Sequence, residues 1–307
     1  MTHPQRPART SRRQLLRGGM AFAAGSAIAA VASSTLAVTT TYKYDDLGRV
    51  IGVTNADGSQ TSYYYDAADN RIQLSTVAPG SATTIQVTAV SNLRTLANNA
   101  GYTGAAPGNY IFNVASGVTV TAASGGGLAI DTGTWPAGST LSLVVSGNIY
   151  GGGGTGGAGS NSGGGGNGGS GGDAVTVHAP ITVTVNAGGS IKSGGGGGGG
   201  GGYTSSGGTI GGDGGGGGFP NGSGGAGSAG TFGDPAVPGN PGTTAGGGTG
   251  GSGGPPGGAG GNAGTAGAAG TSGTGTGGSG GAAGYAIRKN ANTVIYTNSG
   301  TVSGTVG

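Results

Sequence analysis

Polar and apolar residues follow three different patterns along this chain, and each predicts a different kind of structure. From Thr83 to Tyr150 they alternate with a period of two, as in Ile85-Gln86-Val87-Thr88-Ala89-Val90, Tyr110-Ile111-Phe112-Asn113-Val114, Val118-Thr119-Val120-Thr121 and Leu141-Ser142-Leu143-Val144-Val145. Alternation sends successive side chains to opposite faces and predicts half-buried strands. Within this stretch Ser91 is placed to cap a short helix through Leu93 and Leu96, ended by Asn98-Asn99-Ala100-Gly101. Trp135 precedes the turn Pro136-Ala137-Gly138 and is expected to lid the small core. Residues 83–150 therefore read as a β module.

The strand signature returns later. Ile181–Val185 and Thr293–Thr297 alternate like Leu141–Val145, and each is followed by a tight turn and one apolar residue: Ile149, Ile191 and Val302. These pieces, within 175–192 and 285–307, read as β rungs that frame what lies between them.

Between Gly151 and Gly284 glycine takes about half of the positions, and the exceptions keep a period of three. Thr155, Ala158, Asn161, Asn167, Ser170 and Asp173 share one phase, broken only by Ser160 and Ser162. Three is the pitch of the extended polyproline-II-type helix. Collagen needs an unbroken repeat and far more than 12 prolines, and a disordered linker keeps no phase. The remaining reading is a sandwich of stacked polyglycine II helices over 151–284, each bonded to its neighbours. Ordering costs about 1–2 kcal/mol per residue, so the stack has to be dense and supported at its edges by the β rungs.

The order Ile149-Tyr150-Gly151, Gly172-Asp173-Ala174-Val175, Ile191 before nine glycines, and Gly284-Tyr285-Ala286-Ile287 resembles the glycine-rich modules of bacteriophage tail-fibre adhesins. That resemblance implies a glycine-helix scaffold whose turns touch a bacterial surface receptor or polysaccharide. Upstream, Tyr42-x-Tyr44-Asp45-x-x-Gly48-Arg49 recurs as Tyr63-x-Tyr65-Asp66-x-x-Asp69-Asn70, with the turn signal Asp57-Gly58 between them. Residues 42–71 resemble a YD repeat of the Rhs family, and a β-hairpin is expected over 42–76. At the N-terminus, Ser11-Arg12-Arg13-Gln14-Leu15-Leu16-Arg17 resembles a twin-arginine export signal, with Ala30-Val31-Ala32 as a small-x-small cleavage site. Residues 1–32 thus read as a leader recognised by the export machinery. The apolar run Met20–Ala32 is too short and too interrupted for a stable membrane span.

Composition narrows the chemistry. Of 307 residues, 84 are glycine, none is cysteine and none is glutamate. Without the arginines of the leader, seven basic residues face nine aspartates, so no basic stripe exists for nucleic acid. No Gly-x-x-x-x-Gly-Lys-Ser/Thr occurs, and Gly-x-Gly-x-x-Gly carries no information against this background. One stretch, Gly168–Thr176, fits a calcium β-roll repeat, but no second repeat adjoins it to share ligands. His178 lies on a strand with Val175 and Val177 inward and no nameable partner. No catalytic residue, metal site or cofactor is expected.

Aromatic and polar residues interrupt the glycines at Tyr203-Thr204-Ser205-Ser206, Phe219-Pro220-Asn221 and Thr231-Phe232-Gly233-Asp234-Pro235. If consecutive helices return these turns to one end, Tyr203, Phe219 and Phe232 form a contact patch. The expected fold is thus mainly β, with a YD hairpin and a β module ahead of the glycine sandwich. The expected function is an exported, non-enzymatic, adhesin-like surface protein, periplasmic, secreted or on the cell surface. An ice-binding protein with small side chains at every third position and a structural envelope protein without a ligand are the alternatives.

Replacing Arg12 and Arg13 together by lysine is expected to retain the precursor in the cytoplasm, read by fractionation. Normal secretion of that double variant excludes the twin-arginine route.

Overall fold

The computed structural model describes residues 40–54, 60–66, 68–77, 82–104, 106–231 and 233–307. The leader, the Asp57-Gly58 turn and Phe232 lie outside the described residues. The chain divides into two units, Met1–Thr76 and Val77–Gly307. Strands dominate, with one short helix among the described residues.

The first unit is a sheet of β1 (Thr41–Tyr44), β2 (Val50–Thr54), β3 (Gln60–Tyr65) and β4 (Arg71–Val77), in that order. Its repeat is a repeat of turn chemistry. Asp45 Oδ1 accepts the N–H groups of Leu47 at 3.0 Å and Arg49 at 2.9 Å, while Oδ2 takes Arg49 Nε at 2.7 Å. Asp66 does the same with Ala68 at 2.9 Å, Asn70 at 2.8 Å and Asn70 Nδ2 at 3.1 Å. Desolvation opposes the charge on Asp45, but the bonds from Arg49 and Leu47 outweigh it and hold the carboxyl below its usual range. The fourth motif residue is left-handed in both turns, Gly48 at φ 76° and Asp69 at φ 65°. Aspartate tolerates that region, and Asp69 also pairs with Arg49, which ties the second turn to the first.

The second unit is a parallel β-solenoid with three sheets. Its coils begin with β5 (Thr83–Gln86) and β6 (Ser91–Asn92), followed by α1 (Leu93–Asn99). The next coil is β7 (Asn109–Val114), β8 (Thr119–Thr121) and β9 (Ile130–Asp131). Above it run β10 (Thr140–Val145), β11 (Asn148–Tyr150) and β12 (Val175–Thr176). Then come β13 (Ile181–Val185) and β14 (Ser190–Lys192), a small hairpin of β15 (Thr204–Ser205) and β16 (Thr209–Ile210), and β17 (Tyr285–Arg288), which completes the coil. The last coil is β18 (Val294–Asn298), β19 (Thr301–Ser303) and β20 (Thr305–Val306). The sheet orders are β18-β13-β10-β7-β5, β19-β14-β11-β8 and β20-β17-β12-β9-β6. The β module of 83–150 and the two later rungs are thus successive turns of one coil.

Register stacks like on like. Ile85, Phe112, Leu143, Val183 and Tyr296 form one inward column. Val120, Ile149, Ile191 and Val302 form a second, and Ile130, Val175, Ile287 and Val306 a third. Phe112, Leu143, Ile149, Ile191, Ile130, Val175 and Ile287 are completely buried; each such side chain stabilises the fold by about 1.5–3 kcal/mol. The helix adds Leu93 and Ala97 to this core. Its cap is Asn92 rather than Ser91: Asn92 Oδ1 accepts the Thr95 N–H at 3.1 Å. Ser91 lies one position before the cap, and its hydroxyl donates to the Ala89 carbonyl at 2.7 Å instead. Trp135 is half-buried and stacks on Tyr102 at 5.2 Å, with its Nε1–H on the Thr132 carbonyl at 2.7 Å.

Both glycine stretches leave the solenoid at one corner, between the second and third sheets. In the coil below, Ala122–Ala129 make that connection, and in the coil above only Gly304 does. The inserted chain runs back and forth as ten segments: 151–160, 165–172, 194–202, 211–219, 222–230, 237–242, 247–251, 257–261, 265–271 and 275–284. Their hydrogen bonds repeat every three residues. Gly194, Gly197 and Gly200 donate to Gly172, Gly169 and Gly166, and Gly195, Gly198 and Gly201 donate to Phe219, Gly216 and Asp213. Gly196, Gly199 and Gly202 donate to Thr265, Ala268 and Thr271. Segment 194–202 also accepts from 154–160, 278–284 and 258–261, and is enclosed on all sides. Segment 211–219 is enclosed likewise, giving a three-layered array in which both are entirely buried.

Within 194–202 only glycine fits. A Cβ on Gly197, Gly198 or Gly199 would lie 1.9, 2.0 or 2.0 Å from the carbonyl oxygens of Thr155, Gly258 and Gly278. Thr155, Ala158, Asn167 and Ser170 instead stand on the outer surface. Gly198→Val is therefore expected to lower the thermal midpoint by about 6 °C or more, through overpacking of several kcal/mol, and Thr155→Val by about 2 °C at most. Equal midpoints in a thermal melt would refute an enclosed array.

Candidate functional site

Because the glycine segments alternate in direction, consecutive turns fall at opposite ends of the array. The turns at 160–164, 203–210, 231 with 233–236, 252–256 and 272–274 lie at the end remote from the solenoid, at the level of Gly201 and Gly202. Those at 219–221, 243–246 and 262–265 lie at the solenoid end, at the level of Gly195 and Gly196. The described remote turns are tied together. The Thr209 N–H donates to Thr231 Oγ1 at 2.9 Å, the Ser205 N–H to Thr274 Oγ1 at 3.0 Å, and the Gly275 N–H to the Tyr203 carbonyl at 2.9 Å. Asn161 Nδ2 reaches the Ala229 carbonyl at 3.3 Å.

Of the three aromatic residues expected to share one end, Tyr203 is at the remote end and half-exposed. Phe232 lies outside the described residues. Phe219 is at the other end and 2% exposed, so the expectation that it contacts a ligand is corrected. One segment, 211–219, separates its turn from that of Tyr203, and a single segment reverses the end. Phe219 meets Tyr150 edge-on at 5.3 Å, and Lys192 Nζ sits 5.5 Å from the Tyr150 ring centre and 5.9 Å from that of Phe219. Next to it, Asn221 Nδ2 donates to the Ala122 carbonyl at 2.8 Å, and its Oδ1 accepts the Gly153 N–H at 3.1 Å. Phe219-Pro220-Asn221 thus joins array to solenoid.

Asp173 is a second joint. Its Oδ1 accepts the Tyr285 N–H and Arg288 Nη2, each at 2.8 Å, and its Oδ2 accepts Arg288 Nε. The carboxylate bound to Arg288 pushes the guanidinium pKa further up, against desolvation. The aspartate of the single calcium-like repeat is therefore occupied by an arginine, and it fastens the two re-entry points of the inserted chain. Among the described residues no group of three His, Asp, Glu or Cys side chains is arranged to hold a metal. His178 lies in the bend after β12 and not on the strand as expected; Val175 and Val177 are buried, and His178 Nε2 is 3.6 Å from Asp131 Oδ1. That partner is a neighbour only through the pairing of β12 with β9.

Sequence reasoning passed over Asp213, the only charged residue within the enclosed segments. A lone aspartate inside Gly211-Gly212-Asp213-Gly214 was the available signal.

The fold is that of a scaffold: a solenoid supporting a glycine array with its turns gathered at a free end. The family of phage tail fibre adhesin Gp38 matches residues 81–307, most of the chain, and the protein belongs to it. The RHS repeat family matches residues 36–82. No curated protein matches. Among solved structures, the chain is similar to the gp37–gp38 adhesin tip complex of the bacteriophage S16 long tail fibre, with 26% identity over 73% of this chain and 82% of that one, at a TM-score of 0.48.

Phe219→Ser is expected to cost about 3 kcal/mol or more of stability by emptying the joint with Tyr150. Denaturant unfolding checks this; a loss under about 0.5 kcal/mol would show that the joint carries no load.

Proposed function

We propose that the protein is an attachment module without a catalytic step, and that the remote end of the glycine array is its contact surface for a bacterial surface receptor or polysaccharide. One observation carries the reading: five turns rich in Ser, Thr, Gly and Pro, with Asn161, Asp234 and the aromatic Tyr203, collect at that end. Turns raised on a rigid scaffold are where binding residues concentrate. The array is rigid for a stated reason, since both central segments are bonded on all sides.

The surface supports a neutral ligand or a neutral patch of a charged one. From Ser193 to Ile287 the chain has neither lysine nor arginine, and its acids there are Asp213 and Asp234. Tyr203 and Phe232, the latter adjoining Thr231 in the sequence, supply the aromatic contacts. Adhesin family membership and the leader-like N-terminus both favour a place outside the cytoplasm, reached through the twin-arginine route. No helix among the described residues is long and apolar enough to cross a membrane.

Attachment of purified protein to a panel of bacterial cells and glycans tests this. Tyr203→Ser combined with Phe232→Ser is expected to weaken attachment about tenfold or more, as hot-spot residues worth about 2 kcal/mol do. Raising the salt from low to about 0.5 M is expected to change it less than about threefold, because no cation on the array is there to be screened. Unchanged attachment of the double variant, or attachment that disappears with salt, would place the contact surface elsewhere.

A further inference from the structure

A side chain inside a glycine array is an expensive exception, and Asp213 is one. It stands in the enclosed segment 211–219 with no exposed surface. Its backbone keeps the array's bonding: its N–H donates to the Pro255 carbonyl at 3.0 Å, and its carbonyl accepts from Gly201 at 2.8 Å. The side chain occupies the place where segments 237–242 and 247–251 stop and turn away. A Cβ on Gly251 would lie 3.0 Å from Asp213 Cβ, so those segments could not run on past it unchanged.

The carboxylate takes three backbone donors from two remote turns. Oδ2 accepts the N–H groups of Gly253 at 2.5 Å and Gly254 at 2.7 Å, and Oδ1 that of Val237 at 3.2 Å. The partners of the carboxylate are thus backbone amides, and no ion pair to it occurs among the described residues. The same turns touch each other beside it. A Cβ on Gly253 would meet Val237 Cγ2 at 2.7 Å and the Pro235 carbonyl at 3.3 Å, and one on Gly254 would meet Asp234 Oδ2 at 3.1 Å.

We propose that Asp213 is the positioning residue of the contact surface: it ends the array at this edge and seats the turns 234–237 and 252–255 as one rigid unit. This rests on the reading of the remote end as the attachment surface and adds which buried group sets its shape. Asp213 touches no ligand. It acts by fixing backbone that would otherwise sample many arrangements, a cost that attachment would have to meet each time. Glycine at this position would leave three N–H groups without an acceptor, and asparagine would turn a donor toward donors.

The test uses the full chain with Asp213→Gly and Asp213→Asn. The glycine variant cannot fail by crowding, since it restores the residue type of its neighbours. Amide exchange by NMR is expected to quicken at least about tenfold at Val237, Gly253 and Gly254 in both variants. Gly198 should stay protected and the thermal midpoint should move little. Dissociation from cells that bind the wild type is expected to quicken about tenfold. Unchanged exchange at the three amides overturns the seating. Faster exchange with unchanged dissociation overturns the role in attachment. Loss of protection at Gly198 together with a collapsed midpoint overturns positioning in favour of a general stabilising role. If the wild type attaches to no cell, the attachment reading falls and the role in attachment with it, while the exchange result still decides whether Asp213 seats the turns.

Discussion

A buried backbone that forms no bonds within its own segment has to satisfy each N–H and C=O on a neighbour. That requirement governs the second unit of this protein. In 194–202 successive N–H groups point in three directions, to 166–172, then 213–219, then 265–271, and the cycle repeats. A segment bonded in this way cannot stand at a surface alone. It needs neighbours on every side, which only close approach of bare backbone allows. The many glycines, the layered array and the confinement of Thr155, Ala158, Asn167 and Ser170 to its outside are consequences of that one demand.

The demand also explains why the array grows from a solenoid. Each ordered glycine gives up more backbone freedom than any other residue, and it has no side chain to bury in return. Stability has to be imported from a conventional core, and the columns through Phe112, Leu143, Ile149 and Ile287 supply one. The coil presents the chain at the same corner turn after turn, so the first segments of both insertions start already aligned. Asp173 with Arg288, Asn221 with Ala122 and Phe219 with Tyr150 then fasten the array at its base. The joints are made of side chains because the base is where the glycines end.

At the free end the same economy yields a surface with little charge: from Ser193 to Ile287 the chain has no lysine or arginine and two aspartates. The one carboxylate sealed inside it, Asp213, is satisfied wholly by amides of the turns it faces. A scaffold this uniform leaves individuality to its turns, and these are also where it departs from glycine.

Much of this was legible locally. Period-two alternation marked the strands, the phase of three marked the glycine segments and their outward positions, and the recurring Tyr-Asp-x-x-Gly/Asp marked two turns whose aspartates fold back in the same way. These are properties of a few adjacent residues and are set by backbone sterics and solvent. What the sequence could not decide was which strand pairs with which, so the pieces at 83–150, 175–192 and 285–307 read as separate when they are one coil. Nor could it assign ends. Whether a turn lies at the free end or at the solenoid depends on how many reversals precede it, and one segment between Tyr203 and Phe219 sent the second into the base. The sequence determined what each segment can do on its own, because periodicity is local. Only the tertiary structure decided what each segment is next to, because a backbone amide accepts any partner that comes within reach, and which one does is settled by the packing of the whole array.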